Sequence, residues 1–227
     1  MSPRPQIRPF KLGRKSGYRA YVGGTALSRK PVELERAIQQ ADALRKGGKA
    51  EEVKAYALSE TDMKKVIPTL RVVSYPELLK AQSIDEVLDE KGRLMLLYLT
   101  QNESTGHWVC LLKLRDQPVI EYFDPYGGYK PDAEKKWISK EKQEQFGQDT
   151  NHLTKLLQTS PYTIKSNAVP FQQEKNNMNT CGRHCLVRLY LKHLDLPAYT
   201  QLVKDACVDG MTPDDFVSGF SFNLIGK

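Results

Sequence analysis

The chain has 227 residues, 40% of them hydrophobic and 27% charged, with a formal net charge of +7. That balance is ordinary for a globular protein and excludes a disordered one; the length suffices for one substantial core and hardly for two large domains. No apolar run approaches the roughly 20 residues needed to cross a bilayer, and no apolar stretch follows the basic opening MSPRPQIRPFKLGRK, so the expectation is a chain neither membrane-spanning nor secreted.

The charge is unevenly placed. Residues 1–50 hold twelve bases and three acids, so all the excess positive charge lies there. A cationic segment on a near-neutral body suits a polyanion such as DNA, because neutralised phosphates release counterions; the plainer alternative is a solvated leader. Residues 1–30, with prolines, glycines and no apolar periodicity, read as a flexible basic arm. Within it Gly23-Gly24 reads as a turn, or as a cleavable pair in an extended stretch.

Residues 31–92 read as a helical N-terminal region. Pro31 opens the pattern PVELERAIQQADALRKGG, which Gly47-Gly48 stops, and Ser59 stands where it can cap a second helix. LRVVS reads as a short strand and YPELLKAQSIDEVLDEKG as another helix. Residues 93–227 read as the core of the chain. Residues 93–100, 107–114 and 119–124 are short apolar runs separated by NESTG and RDQP, as in neighbouring buried strands. The lysine- and glutamate-rich stretch 133–158 reads as exposed helix and YTIKSN as a further strand. CGRHCLVRLYLKHL reads as a long helix headed by Cys181, and two helices, about 197–208 and 213–220, close the chain. The expected class is α+β: a central mixed or antiparallel sheet packed against the helix that carries Cys181, with a helical N-terminal region.

Three polar residues stand where packing does not ask for them. His107 starts a buried strand, Asp124 ends the next, and pairing of those strands brings both to one rim of the sheet. Cys181 heads an apolar helix, where free amides and the positive end of the helix dipole stabilise a thiolate. A thiol of lowered pKa, a base within reach and a carboxylate holding that base are what nucleophilic catalysis requires. Gly182 is expected to let a substrate carbonyl approach the amides of an oxyanion hole. Each residue also has a plainer reading: a satisfied polar strand end, a turn cap, a small core thiol.

The order His, Asp, Gln, Cys, carried by GHWVCLL, YFDPYGG, FQQ and NTCGRHC, resembles the adenovirus-type and SUMO-deconjugating cysteine proteases over about residues 94–195. The resemblance implies Cys181 as nucleophile, His107 as base, Asp124 as its orienting acid and Gln173 as the oxyanion donor. The FDPYGG and NTCGRHC forms look most like the maturation proteases of large DNA viruses and virophages. That subgroup implies protein substrates, capsid or core precursors cut at Gly-Gly-type sites, in the virion and infected cell, with no cofactor. A deubiquitinase or SUMO protease would use the same triad.

Two alternatives lie in other classes. Cys110, Cys181 and Cys185 with a histidine would make a zinc set, although Cys-x3-Cys within one helix is a weak spacing. A non-catalytic nucleic-acid binder would use the basic arm, which offers only Phe10, Tyr18 and Tyr21 for stacking. Cys185 is expected to be a core thiol, and His184 a helix-surface or partner-packing residue.

Overall fold

The computed structural model describes residues 6–12, 15–22, 25–26, 30–115 and 117–226, with side chains from residue 33 onward. Where the sequence suggests an arm without regular structure, β1 (Gln6–Leu12), β2 (Lys15–Val22) and β3 (Thr25–Ala26) form a three-stranded antiparallel sheet. Tyr18, Ala20 and Val22 recur at period two, the spacing of a strand, which a search for helical periodicity passes over. Gly23 and Gly24 lie outside the described residues.

Three helices follow: α1 (Lys30–Lys46), α2 (Ala50–Ala55) and α3 (Glu60–Val66). Ser59 caps α3 in a reciprocal capping box with Asp62, as its position predicts. Next come β4 (Arg71–Ser74) and α4 (Tyr75–Leu78). The single helix expected over YPELLKAQSIDEVLDEKG is instead α4, a loop and a short 3-10 turn at Ile84–Glu86. Its apolar residues Leu78, Ile84 and Val87 are all buried, so packing rather than helical continuity sets this path.

The main sheet continues with β5 (Arg93–Asn102), β6 (Thr105–Lys113), β7 (Val119–Phe123) and, after α5 (Lys140–Gln145) and α6 (His152–Gln158), β8 (Thr163–Ser166). Its order is β4-β5-β6-β7-β8, antiparallel in the β5-β6-β7 centre and parallel at both edges. The chain ends in α7 (Cys181–Tyr190), α8 (Leu196–Ala206) and α9 (Pro213–Ile225). The class is therefore α+β with a mixed five-stranded sheet.

Alternation along the strands sorts the core into two layers. Met95, Cys110, Leu112 and Phe123 face α7, α8 and α9, with α1 packed outside on α9. Leu96, Tyr98, Val109, Leu111, Ile120 and Tyr122 face α4 and α6. Fully burying an aliphatic or aromatic side chain contributes about 1.5–3 kcal/mol, so these two layers hold the sheet between helices. At Gly219 a Cβ would come within 2.5 Å of the Ala41 backbone, so glycine there is what lets α1 and α9 touch. The sheet and α7 are also tied by an ion pair: Glu121 on β7 receives Arg188 at 2.6 and 2.8 Å, both residues buried. No helix among the described residues is long and apolar enough to cross a membrane.

Candidate active site

β6 and β7 pair antiparallel, with Cys110 opposite Phe123. That register carries His107, near the start of β6, to Asp124, just past the end of β7. His107 Nε2 lies 2.8 Å from Asp124 Oδ1, and the carboxylate is fully buried. The same oxygen accepts the Tyr126 N–H at 2.9 Å. Asn167, just after β8, grips the Asp124 backbone from both sides: its Oδ1 accepts the Asp124 N–H at 2.9 Å and its Nδ2 donates to the Asp124 carbonyl at 2.7 Å. The Tyr126 ring stacks on the His107 ring with centroids 4.7 Å apart, so the imidazole is held on its face as well as its edge.

Cys181, half-buried, begins α7 beside this pair. With Nε2 taken by Asp124, Nδ1 is the ring nitrogen left for the sulfur. Burial pulls the His107 pKa down, but hydrogen bonds to Asp124 and Cys181, and their charges, overrule it and carry it up to about 10. Burial likewise pushes the Cys181 thiol up; its hydrogen bond to His107, the imidazolium charge and the amides of Trp108 and Gly182 bring it below the usual thiol value. The two shifts agree in sense. Both favour the charged forms, thiolate and imidazolium, over the neutral pair.

His107 and Cys181 open on a cleft of about 540 Å³ whose walls include Tyr126, Trp137, Gln172 and Lys175. A larger depression of about 690 Å³ lies beyond the other end of β6, among charged residues such as Lys91, Arg115 and Lys192. It contains no cysteine and is remote from the pair above.

Three readings of the sequence change here. Gln173 does not line the cleft; its backbone N–H donates to Asp214 Oδ2 at 3.0 Å, whereas the neighbouring Gln172 lines it. Gln172 Nε2 donates to the Met178 carbonyl at 3.1 Å, which aims its amide along the loop before α7. The segment carrying both glutamines is irregular, so no periodicity decides which one turns inward. Gly182 is buried against Met63 and Trp108, where a Cβ would come within 3.1–3.2 Å of their side chains. Its lack of a side chain therefore also serves the packing of α7. His184 is fully buried rather than on a helix surface, with Nε2 3.0 Å from Asp214 Oδ1.

Cys185, one turn along α7, is fully buried and donates to the Trp108 carbonyl at 3.4 Å; burial pushes its thiol well above the ordinary value. Cys110 lies equally deep and donates to the Cys185 carbonyl. Among the described residues no group of three His, Cys, Asp or Glu side chains could hold a metal ion. Three further residues at the site carry no sequence signal of their own. Tyr126 and Asn167 sit in turns, and Glu134, directly behind Asp124, sits in a lysine- and glutamate-rich run that reads as solvated surface. That run, 133–158, is not one exposed helix but a 3-10 turn (Ala133–Trp137), α5 and α6, with Glu134, Lys135 and Leu153 buried.

No family model matches the chain. Among solved structures it is similar to the ASFV pS273R protease, at 14% identity and a TM-score of 0.40, over 87% of this chain and 82% of that one, a distant likeness. Among curated proteins it is 38% identical over 164 residues to "Uncharacterized protein V9" of the Sputnik virophage, a match spanning 71% of this chain and 92% of the relative. Identity at that level over nearly the whole relative reflects common descent: the chain belongs to the family of the virophage V9 protein.

Proposed function

We propose that the chain is a cysteine endopeptidase. The observation that carries this is the half-buried thiol of Cys181 at a helix N-terminus, brought below its ordinary pKa by a histidine whose other nitrogen is held by a buried carboxylate, with thiol and ring on one open cleft. In this reading the Cys181 thiolate attacks a peptide carbonyl, and the imidazolium of His107 gives its proton to the departing amine. The acyl-enzyme forms as the C–N bond breaks. His107, now neutral, takes a proton from water, which attacks the thioester and releases the acid and the thiol. Asp124 keeps the ring in one tautomer throughout. Gln172, rather than Gln173, donates to the oxyanion from the remaining N–H of its amide, together with amides at the start of α7.

The cleft lies between the Tyr126–Trp137 wall and the loop before α7, open to an extended peptide. Cleavage at Gly-Gly-type sites rests on the resemblance carried by FDPYGG and NTCGRHC. Kinship with a virophage protein supports capsid or core precursors as substrates, cut during virion maturation in the infected cell. The excess positive charge of residues 1–50 supports DNA binding by that segment.

Incubation with a candidate capsid precursor and, in parallel, a ubiquitin-like fusion tests the reading, with products identified by mass spectrometry. Wild type should cut the precursor after Gly-Gly and Cys181→Ala should cut nothing. Cleavage of the ubiquitin-like fusion alone would redirect the substrate to a deconjugation role. Iodoacetamide labelling should fall on Cys181 first. Preferential labelling of another cysteine would overturn the assignment of the nucleophile.

A further inference from the structure

We propose that Glu134 is a positioning residue of this site: held as a neutral carboxylic acid, it donates a hydrogen bond to Asp124 Oδ2 and so fixes the carboxylate that orients His107. The proposal rests on the endopeptidase reading above and adds a fourth member to the line Cys181–His107–Asp124. Its starting point is an unmet need. Asp124 Oδ1 accepts from His107 and Tyr126, but Oδ2, fully buried, meets no donor. Glu134 is 1% exposed. Its Oε1 accepts the Tyr122 hydroxyl, and its Oε2 is likewise buried without a donor. The two carboxyls lie within hydrogen-bonding reach of each other. Two neighbouring buried carboxyls, each with one oxygen that meets no donor, are both satisfied by one shared proton.

Which carboxyl holds the proton follows from the surroundings. Asp124 Oδ1 is already engaged by the His107 ring at 2.8 Å and by the Tyr126 N–H at 2.9 Å. Glu134 faces Tyr122 from β7, Tyr98 from β5, Asp132 and Lys135 from its own turn and, behind them, Tyr75 from α4. Lys135, the one cation of this set, spends its ammonium on the Thr150 carbonyl at 2.6 Å and on Asp132 at 3.9 Å. Burial and the Asp124 charge therefore push the Glu134 pKa to about 8, against the opposing Tyr122 hydrogen bond. Near neutral pH Glu134 is a donor. Above about 8 it becomes a second anion behind Asp124, and mutual repulsion turns the Asp124 carboxylate away from His107.

Glu134→Gln and Glu134→Leu separate donation from mere packing. Gln keeps an N–H for Asp124 and an acceptor for Tyr122 but cannot ionise; Leu removes the donor. Cleavage of a fluorogenic Gly-Gly peptide and iodoacetamide labelling of Cys181 are followed from pH 6 to 10, with folding checked by circular dichroism. Wild type should lose kcat as pH rises through about 8. Glu134→Leu should lose roughly 10- to 100-fold in kcat at pH 7 with KM unchanged, the size of a lost hydrogen bond to a charged group. Glu134→Gln should recover most of that loss and lack the wild-type decline near pH 8. A wild-type rate for Glu134→Leu, or the same decline in Glu134→Gln, overturns the proposal; the second test stands even if the leucine variant fails to fold. Labelling reports on the parent reading separately. If Cys181 of the wild type is inert, the endopeptidase reading fails, whatever Glu134 does.

Discussion

The molecule contains two buried histidine–aspartate pairs of nearly the same geometry. His107 Nε2 and Asp124 Oδ1 are 2.8 Å apart, and His184 Nε2 and Asp214 Oδ1 are 3.0 Å apart. Their settings differ. The first lies at the rim of the sheet, with the second ring nitrogen turned to the Cys181 thiol in an open cleft. The second is sealed: His184 Nδ1 is buried without a hydrogen-bond partner, and Asp214 also accepts Thr180 Oγ1 at 2.5 Å and the Gln173 N–H at 3.0 Å. Asp214 thereby ties the residue before Cys181 to the loop that holds Gln172. A histidine–carboxylate pair is thus not itself a catalytic device. Access to the free ring nitrogen makes one; without it the same pair is a brace.

The largest effect should separate the two histidines. His107→Ala should lower peptide cleavage by roughly a thousandfold or more, because both thiolate formation and leaving-group protonation go with it. His184→Ala should leave Cys181 reactive to iodoacetamide in whatever fraction folds. Reactivity that survives in His107→Ala and vanishes in folded His184→Ala would invert the comparison.

Next in size, Asp214→Ala should cost about 1–3 kcal/mol of stability in denaturant melts, because His184, Thr180 and the Gln173 N–H all lose the acceptor they share. A loss below about 1 kcal/mol, the worth of an ordinary neutral hydrogen bond, would show that Asp214 is no brace. Within the loop it holds, Gln172→Ala should lower kcat about a hundredfold, as for one oxyanion donor, while Gln173→Ala, whose contribution is a backbone N–H, should change kcat little. Equal losses in both would sink the assignment to Gln172.

The smallest and most diagnostic difference lies in pH. His184 and Thr180 hold the Asp214 pKa below its ordinary 3.8, against burial, which raises it. A depressed acid contributes stability that is present above its unfolded pKa and is lost as pH falls through the folded one. The stability gap between wild type and Asp214→Ala should therefore narrow below about pH 3.8. His107 runs the other way. With its pKa raised from 6.5 to about 10, it contributes stability that is full below 6.5 and lost as pH rises through about 10. The gap between wild type and His107→Ala should close at that alkaline end, and thermal melts across pH 2–11 read both.

Much of this architecture is legible in local pattern. The runs at 93–100, 107–114 and 119–124 announce three strands because buried strands need continuous apolar surface, and they appear as β5, β6 and β7. Ser59 before Glu60-Thr61-Asp62 announces a helix start for the same kind of local reason. The meeting of His107 with Asp124 follows once β6 and β7 are paired, since the register of a hairpin fixes its ends. Where period and capping are silent, local reading fails. The three-stranded sheet over Gln6–Ala26 and the breaks within 75–92 both run against expectations drawn from proline, glycine and charge content.

The sequence by itself therefore determined the central strands of the main sheet, the helix headed by Cys181 and the rim on which His107 and Asp124 stand, because periodicity and capping act over a few neighbouring residues. Tertiary structure alone decided which of two adjacent glutamines turns into the cleft, that His184 is a sealed brace rather than a surface residue, and that Glu134 leaves a charged run to sit behind Asp124. Those choices depend on desolvation and on partners 10 to 41 residues away in the chain, from Asp124 behind Glu134 to Asp214 beneath Gln173, and no local pattern records them.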